Sequence, residues 1–259
     1  MRVGFVEWPD GLQPQGAAWD QIAAGLATAR PDVLVTNELP FGEWIASCPA
    51  FDADIAAASV EVHRHGVEAL LELGIPAVVS SRPVWEGDRL ANEAIVIEAG
   101  QVRPLHRKQY FPEEPGWHET QWFNPNASGF RTVSLGGITA GALLCTELMF
   151  NEHARGYGRA GASLIAVPRA TGIDRKSWQI AGAMAALVSG AFVVSSNRVG
   201  RANVDSPTFG GGGFAFAPGG RLIATTSRER ALSIFELDVD RSAEARASYP
   251  SYVAELPRR

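Results

Sequence analysis

Three side chains with complementary chemistry fall just past three apolar stretches of this chain. Cys145 ends the run Ile138 to Leu144, Glu38 follows Val33-Leu34-Val35, and Lys108 follows a segment that closes at Leu105. A thiol can attack an electrophilic carbon. A carboxylate beside it can take the thiol proton and later return one to a leaving group. An ammonium can hold the thiolate and then the oxyanion that forms. The residues after Cys145, Thr146 to Arg159, read as a helix. A cysteine between a buried strand and a helix start has backbone N–H groups near its sulfur, and these dipoles favour thiolate over thiol. The competing reading makes Cys145 a small core residue among apolar neighbours. Spacing alone does not bring the three groups together.

The elements that must position them alternate between extended and helical patterns. Strands are expected at Val3 to Glu7, Asp32 to Thr36 and Ala77 to Ser81. Ala17 to Ala29 and Asp52 to Leu73 read as helices, closed by Pro31 and Gly74. Gly-containing turns split three pairs of short runs into hairpins: Asn92 to Glu98 with Gln101 to Leu105, Arg131 to Leu135 with Ile138 to Leu144, and Phe214 to Ala217 with Arg221 to Thr226. Ser163 to Val167 and Phe192 to Ser196 are strands around a helix at Arg175 to Ser189, and Leu232 to Leu237 is the last strand before a polar tail. Hairpins interleaved with helices imply an α/β protein of mixed sheets covered by helices. Open α/β sheets gather ligands at the C-terminal ends of their strands, where Glu38, Lys108 and Cys145 fall. The run Gly210 to Gly213 leads into a strand and lacks a following Lys-Ser/Thr, so it reads as close backbone packing or a turn rather than a phosphate loop.

Composition narrows the function. The 259 residues carry a formal net charge of −5 and no long basic run, which argues against nucleic acid as a partner. No apolar run reaches the ~18 residues of a membrane span, and the first residues read as a core strand rather than a signal peptide. Two cysteines, Cys48 and Cys145, make no disulfide framework, and a reducing cytoplasm is the expected location. The histidines and cysteines have no zinc-ligand spacing. His63 and His65 are read as surface residues, and Cys48 as a bystander.

On its motifs the chain resembles the carbon–nitrogen hydrolases, the nitrilase superfamily, which use a Glu-Lys-Cys triad in this order. The glutamate motif corresponds to Asn37-Glu38-Leu39-Pro40, the lysine motif to His106 through Pro112, and the cysteine motif to Gly141 through Glu147. The match continues through Arg155, Gly161 to Pro168, and Gly190 to Gly200, and it spans nearly the whole chain. The resemblance implies a single domain over 1–259, a four-layer αββα sandwich, and protomers that pair as a homodimer or higher homo-oligomer. It implies Cys145 as nucleophile, Glu38 as general base and then acid, Lys108 as oxyanion stabiliser and the Thr146 N–H as a second oxyanion donor. Many members carry a second glutamate beside the lysine. Glu113, Glu114 and Glu119 are available, and the segment Trp117 to Pro125 selects Glu119. No metal or organic cofactor is implied.

The expected substrate is a small amide or N-carbamoyl compound, cleaved at a non-peptide C–N bond through a thioester. Thr146-Glu147-Leu148 departs from the Trp-Glu or Gly-Glu that follows the cysteine of nitrilases, and so argues against a nitrile. Substrate contacts are expected from Tyr110 and Trp117 in the lysine loop, and from Arg169, a carboxylate receptor, and Thr171 beyond the next strand. Two alternatives stay open: acyl transfer to an amine acceptor, and an inactive binding protein on the same scaffold.

Overall fold

The computed structural model describes residues 1–127 and 129–255. The elements run β1 (Arg2–Val6), α1 (Ala17–Ala29), β2 (Val33–Val35), α2 (Ala53–Glu72), β3 (Ala77–Glu86), β4 (Arg89–Glu98), β5 (Gln101–Arg107), β6 (Glu113–Glu114), β7 (Trp117–His118) and α3 (Glu119–Trp122). They continue with β8 (Val133–Leu135), β9 (Ile138–Ala142), α4 (Asn151–Arg159), β10 (Leu164–Arg169), α5 (Lys176–Ser189), β11 (Phe192–Asn197), β12 (Val199–Gly200), β13 (Phe209–Gly210), β14 (Phe214–Ala217), β15 (Arg221–Thr225), β16 (Leu232–Glu236) and α6 (Val239–Arg246).

Two six-stranded mixed sheets form, in the orders β16-β1-β2-β3-β4-β5 and β15-β14-β11-β10-β9-β8. Their facing sides bury Val3, Phe5, Val35 and Val79 from one sheet against Ala142, Ala166, Phe192 and Val194 from the other. The outer face of the first sheet packs on α1 and α2 through Leu34, Val78, Leu26 and Leu70. The second packs on α4 and α5 through Ile165, Tyr157, Ala181 and Ala185. The result is the expected αββα sandwich. Its inner strands are apolar on both faces because both faces are covered.

Local chemistry sets the boundaries. Asp52 caps α2 by accepting from the N–H groups of Asp54 and Ile55, at 2.9 and 3.0 Å. The buried stripe of α2 holds Ala56, Ser59, His63, Gly66, Val67 and Leu70 at helical spacing. His63 is therefore buried, not a surface residue. Its Nδ1 donates to Ser59 O at 2.7 Å, and its Nε2 accepts from Phe41 N at 3.4 Å. Burial above all holds its pKa down at about 4, so it is neutral. His65, two residues on, is half-buried.

Three expectations need correction. The helix after Cys145 is a 3₁₀ turn, Cys145–Met149, followed by α4 from Asn151. The strand expected to stop at Ser81 runs on to Glu86, because β4 pairs with it along its whole length. The tail expected to be merely polar forms α6, capped by Asp238 and buried at Ser242. Among the described residues no helix is long and apolar enough to cross a membrane.

Candidate active site

In the first sheet β2 runs parallel to β1 and β3; in the second β10 runs parallel to β9 and β11. Within each sheet their C-terminal ends therefore point the same way. The turn after β2 carries Glu38, the loop after β5 carries Lys108, and the turn after β9 carries Cys145. The Glu38 N–H donates to Arg169 O at the end of β10, at 3.1 Å, which ties the two sheets together beside the site.

Lys108 sits between two carboxylates. Its Nζ donates to Glu38 Oε1 at 2.8 Å and to Glu119 Oε2 at 2.6 Å. All three side chains are fully buried. Asn92 Nδ2 fixes Glu38 Oε1 from β4 at 2.8 Å. Glu38 Oε2 and Glu119 Oε1 are buried with no hydrogen-bond partner. Burial opposes a charge on Lys108, but Glu119 and Glu38 outweigh it and hold the ammonium well above the usual lysine range. One ammonium against two carboxylates leaves one negative charge in excess. Burial and the repulsion from Glu38 push Glu119 up to about 8, beyond what Lys108 offsets.

Cys145 is 2% exposed. Its φ of 51° lies in the left-handed region, a conformation that costs a non-glycine residue on the order of 1–3 kcal/mol. A sharp strand-to-helix turn of this kind lifts a nucleophile out of the sheet. The expectation that Cys145 rests as a thiolate is corrected. Burial first, and then the charge on Glu38, push its thiol well above the usual range; Lys108 and a backbone hydrogen bond with Ala170 act in the opposite direction without prevailing. The resting sulfur is protonated, and a base must remove that proton when substrate arrives.

The sulfur opens into a cavity of about 520 Å³ whose walls include Trp117, Thr146, Thr171, Ile173 and Trp178, with Glu114 and Asp174 at its acidic edge. Trp117 is held there by donating from Nε1 to Ala170 O at 2.8 Å. Two expected contacts lie elsewhere. Tyr110 stacks on Phe150 at 4.0 Å and lines a neighbouring groove of about 690 Å³. Arg169 is 1% exposed and does not line the cavity. Its guanidinium donates to Ser195 Oγ, Thr171 Oγ1 and Gly212 O at 2.6, 3.0 and 3.2 Å, with its guanidinium carbon 5.0 and 4.8 Å from the ring centroids of Trp178 and Phe214. Burial lowers its pKa to about 10. It braces Thr171 from behind the wall and is not a carboxylate receptor. Glu113 bonds to His118 at the surface. Cys48 Sγ lies 3.2 Å from Ala50 O, away from the site.

Glu147, which in the sequence bears only on substrate, is a positioning residue. Glu147 is fully buried. Its carboxylate accepts from Leu144 N at 2.8 Å, Gln109 N at 2.7 Å and His106 Nε2 at 2.8 Å. It thus locks the turn that carries Cys145 to the loop that carries Lys108. Glu147→Gln removes one acceptor oxygen and faces an amide donor toward N–H groups. A loss of kcat on the order of 10²-fold, with near-native circular dichroism, is expected from the resulting misplacement. Unchanged kcat would deny Glu147 this part. Asn92 was silent in the sequence, a polar residue inside an apolar strand.

Residues 44–247 match the family described as carbon-nitrogen hydrolase. An N-carbamoylputrescine amidase from Solanum lycopersicum is 27% identical over 201 residues, spanning 72% of this chain and 67% of that protein. An (R)-stereoselective amidase from Pseudomonas sp is 27% identical over 220 residues, 83% and 77% of the two chains. Among solved structures, a carbon-nitrogen hydrolase from Helicobacter pylori G27 superposes with a TM-score of 0.84 at 20% identity, over 97% of this chain and 94% of that one. An amidase from Nesterenkonia sp. does so with a TM-score of 0.78 at 25% identity, over 95% and 94%. With its αββα fold and a buried cysteine at the strand ends, this chain belongs to the carbon-nitrogen hydrolase family and is an enzyme that hydrolyses non-peptide C–N bonds.

Proposed function

We propose that the enzyme hydrolyses a small amide or N-carbamoyl compound through a thioester on Cys145. The observation that carries this reading is the buried bridge Glu38–Lys108–Glu119, whose charges act on the sulfur of Cys145, with Glu38 Oε2 left unpartnered. Glu38 takes the thiol proton as Sγ bonds to the carbonyl carbon. The carbonyl oxygen becomes an oxyanion, held by Lys108 Nζ and the Thr146 N–H at the first turn after the strand. The C–N bond breaks as Glu38 gives its proton to nitrogen, and ammonia or an amine leaves. Glu38 then takes a proton from water, whose oxygen attacks the thioester. The acid departs and Glu38 reprotonates the sulfur. Lys108 stays an ammonium throughout, which Glu119 supports. A protonated resting thiol suits this scheme, because its proton is the one that Glu38 takes as the Sγ–C bond forms.

The relatives named above act, by their names, on N-carbamoylputrescine and on amides. The cavity adds a charge criterion. Carboxylates of Glu114 and Asp174 edge it, and among the described residues that line it none is cationic. A neutral or amine-bearing acyl or carbamoyl chain is therefore favoured over one ending in carboxylate. Ammonia release from matched primary amides, a carbamoylated diamine and N-carbamoyl amino acids tests this. The carboxylate-bearing members should have kcat/KM lower by at least about tenfold, or 1.4 kcal/mol. A preference for them would overturn the charge criterion. A homodimer is proposed on the apolar surface of α5, where Ile180 and Met184 are exposed on one face. A cytoplasmic location goes with the two free cysteines.

A further inference from the structure

We propose that Arg198, paired with Asp10, is a positioning residue for Glu38: it clamps the turn that carries the base and sets a second cation, after Lys108, beside it. The inference rests on the reading of Glu38 as the base.

The turn after β2 is irregular, and Leu39 has a φ of 43°, left-handed for a residue that is not glycine. Such a turn persists only when its surroundings hold it. Ser81 Oγ accepts from Leu39 N at 2.8 Å. The rest of the hold comes largely from one guanidinium. Arg198 Nε donates to Glu38 O at 3.4 Å, Nη1 to Gly42 O at 3.0 Å, and Nη2 to Leu39 O. Arg198 is fully buried, and its guanidinium carbon lies 5.7 Å from the ring centroids of both Trp44 and Phe209. A planar fork with five donors can meet three carbonyls and a carboxylate together; a lysine ammonium cannot.

The charge matters as well as the shape. Arg198 Nη1 lies 2.5 Å from Asp10 Oδ1, and the other Asp10 oxygen accepts from Ala202 N at 2.9 Å. Burial pulls Arg198 below its usual range, while attraction from Asp10 and from Glu38 acts the other way. An arginine remains charged even so. Glu38 is thus surrounded by Lys108 from the loop after β5, Glu119 from α3, Cys145 from the turn after β9, and Arg198 from beyond β11. Asn92 from β4 is neutral, and so is His63 of α2, which faces Arg198. Arg198 is the second cation acting on the base, and Asp10 sets how much of its charge is left over.

Removing the cation makes Glu38 hold its proton more tightly, so the acidic limb of the kcat/KM profile moves to higher pH. Removing the Asp10 charge frees more of the cation's field, so the limb moves to lower pH. The experiment records kcat/KM against pH for wild type, Arg198→Met, Arg198→Lys, Asp10→Asn and Glu38→Gln, with circular dichroism on each. Arg198→Met should lower kcat on the order of 10²-fold and raise the limb by about one unit. Arg198→Lys should return the limb toward the wild-type position while kcat stays low. Asp10→Asn should lower the limb, and it carries the test if Arg198→Met does not fold. Limbs that stay in place in the folded variants overturn the proposal. Glu38→Gln separates the two layers: if it keeps the acidic limb, the reading of Glu38 as base fails and takes this proposal with it. If Glu38→Gln is inactive while the limbs of the other variants do not move, only the role of Arg198 and Asp10 fails.

Discussion

Cys145→Ala is expected to stop ammonia release while leaving the fold intact. Without the sulfur no thioester forms, and the oxyanion donors have no tetrahedral intermediate to hold. Loss of a nucleophile from a catalytic unit costs on the order of 10⁶-fold in kcat, more than any single supporting group. The substitution removes one buried atom at a residue whose left-handed φ is set by the turn, so melting temperature should change little. Cys145→Ser is a sharper variant. It keeps the shape and puts an alcohol beside the same base, and it too should be inactive, because a hydroxyl is harder to deprotonate than a thiol. Steady ammonia release by a clean Cys145→Ala preparation would end the thioester mechanism.

Glu38→Gln is expected to cost about 10²–10⁴-fold in kcat for each proton transfer that limits the rate. The effect should be large because the resting sulfur is a thiol. Burial and the Glu38 charge keep it so, and Lys108 does not reverse them. A site that stored a thiolate would need no base for acylation and would lose only the deacylation step. Alkylation at neutral pH reports the same point. Iodoacetamide should modify Cys145 in wild type slowly, because burial and the Glu38 charge oppose its thiolate. In Glu38→Gln that negative charge is gone and Lys108 remains, so alkylation of Cys145 should speed up even as turnover falls. If the glutamine variant turns over at the wild-type rate, Glu38 is not the base.

Much of this architecture was legible in the residues. The periods of α1 and α2, the hairpin turns and the apolar runs of β2, β9, β10 and β11 lie close to their expected ranges. They are local signals, and local signals survive folding. The positions of Glu38, Lys108 and Cys145 at strand ends followed from the same runs. What did not follow depends on contacts between distant segments. Glu147 reads as a departure after the cysteine that bears only on substrate until Leu144, Gln109 and His106 converge on it. His63 reads as a surface residue until Phe41 folds back over α2. Arg169 follows a strand as a substrate-binding arginine would, yet its side chain turns beneath Trp178 and Phe214. The thiolate expectation failed for an electrostatic reason. A helix start and a lysine favour thiolate, but the desolvation of a covered sulfur and the charge of Glu38 oppose it and prevail. Charge balance in a buried site is a sum over all its members, and linear order does not reveal which members are close.

The most direct test is mass spectrometry of the protein acid-quenched during turnover of a methyl ester carrying an accepted acyl group. An ester acylates quickly, so hydrolysis of the thioester limits the rate and the intermediate accumulates. The account predicts a mass increase equal to the acyl group, mapped to the peptide that contains Cys145 and lost on treatment with hydroxylamine. Turnover with Cys145 unmodified throughout, or an acyl group carried by Cys48 instead, would contradict it.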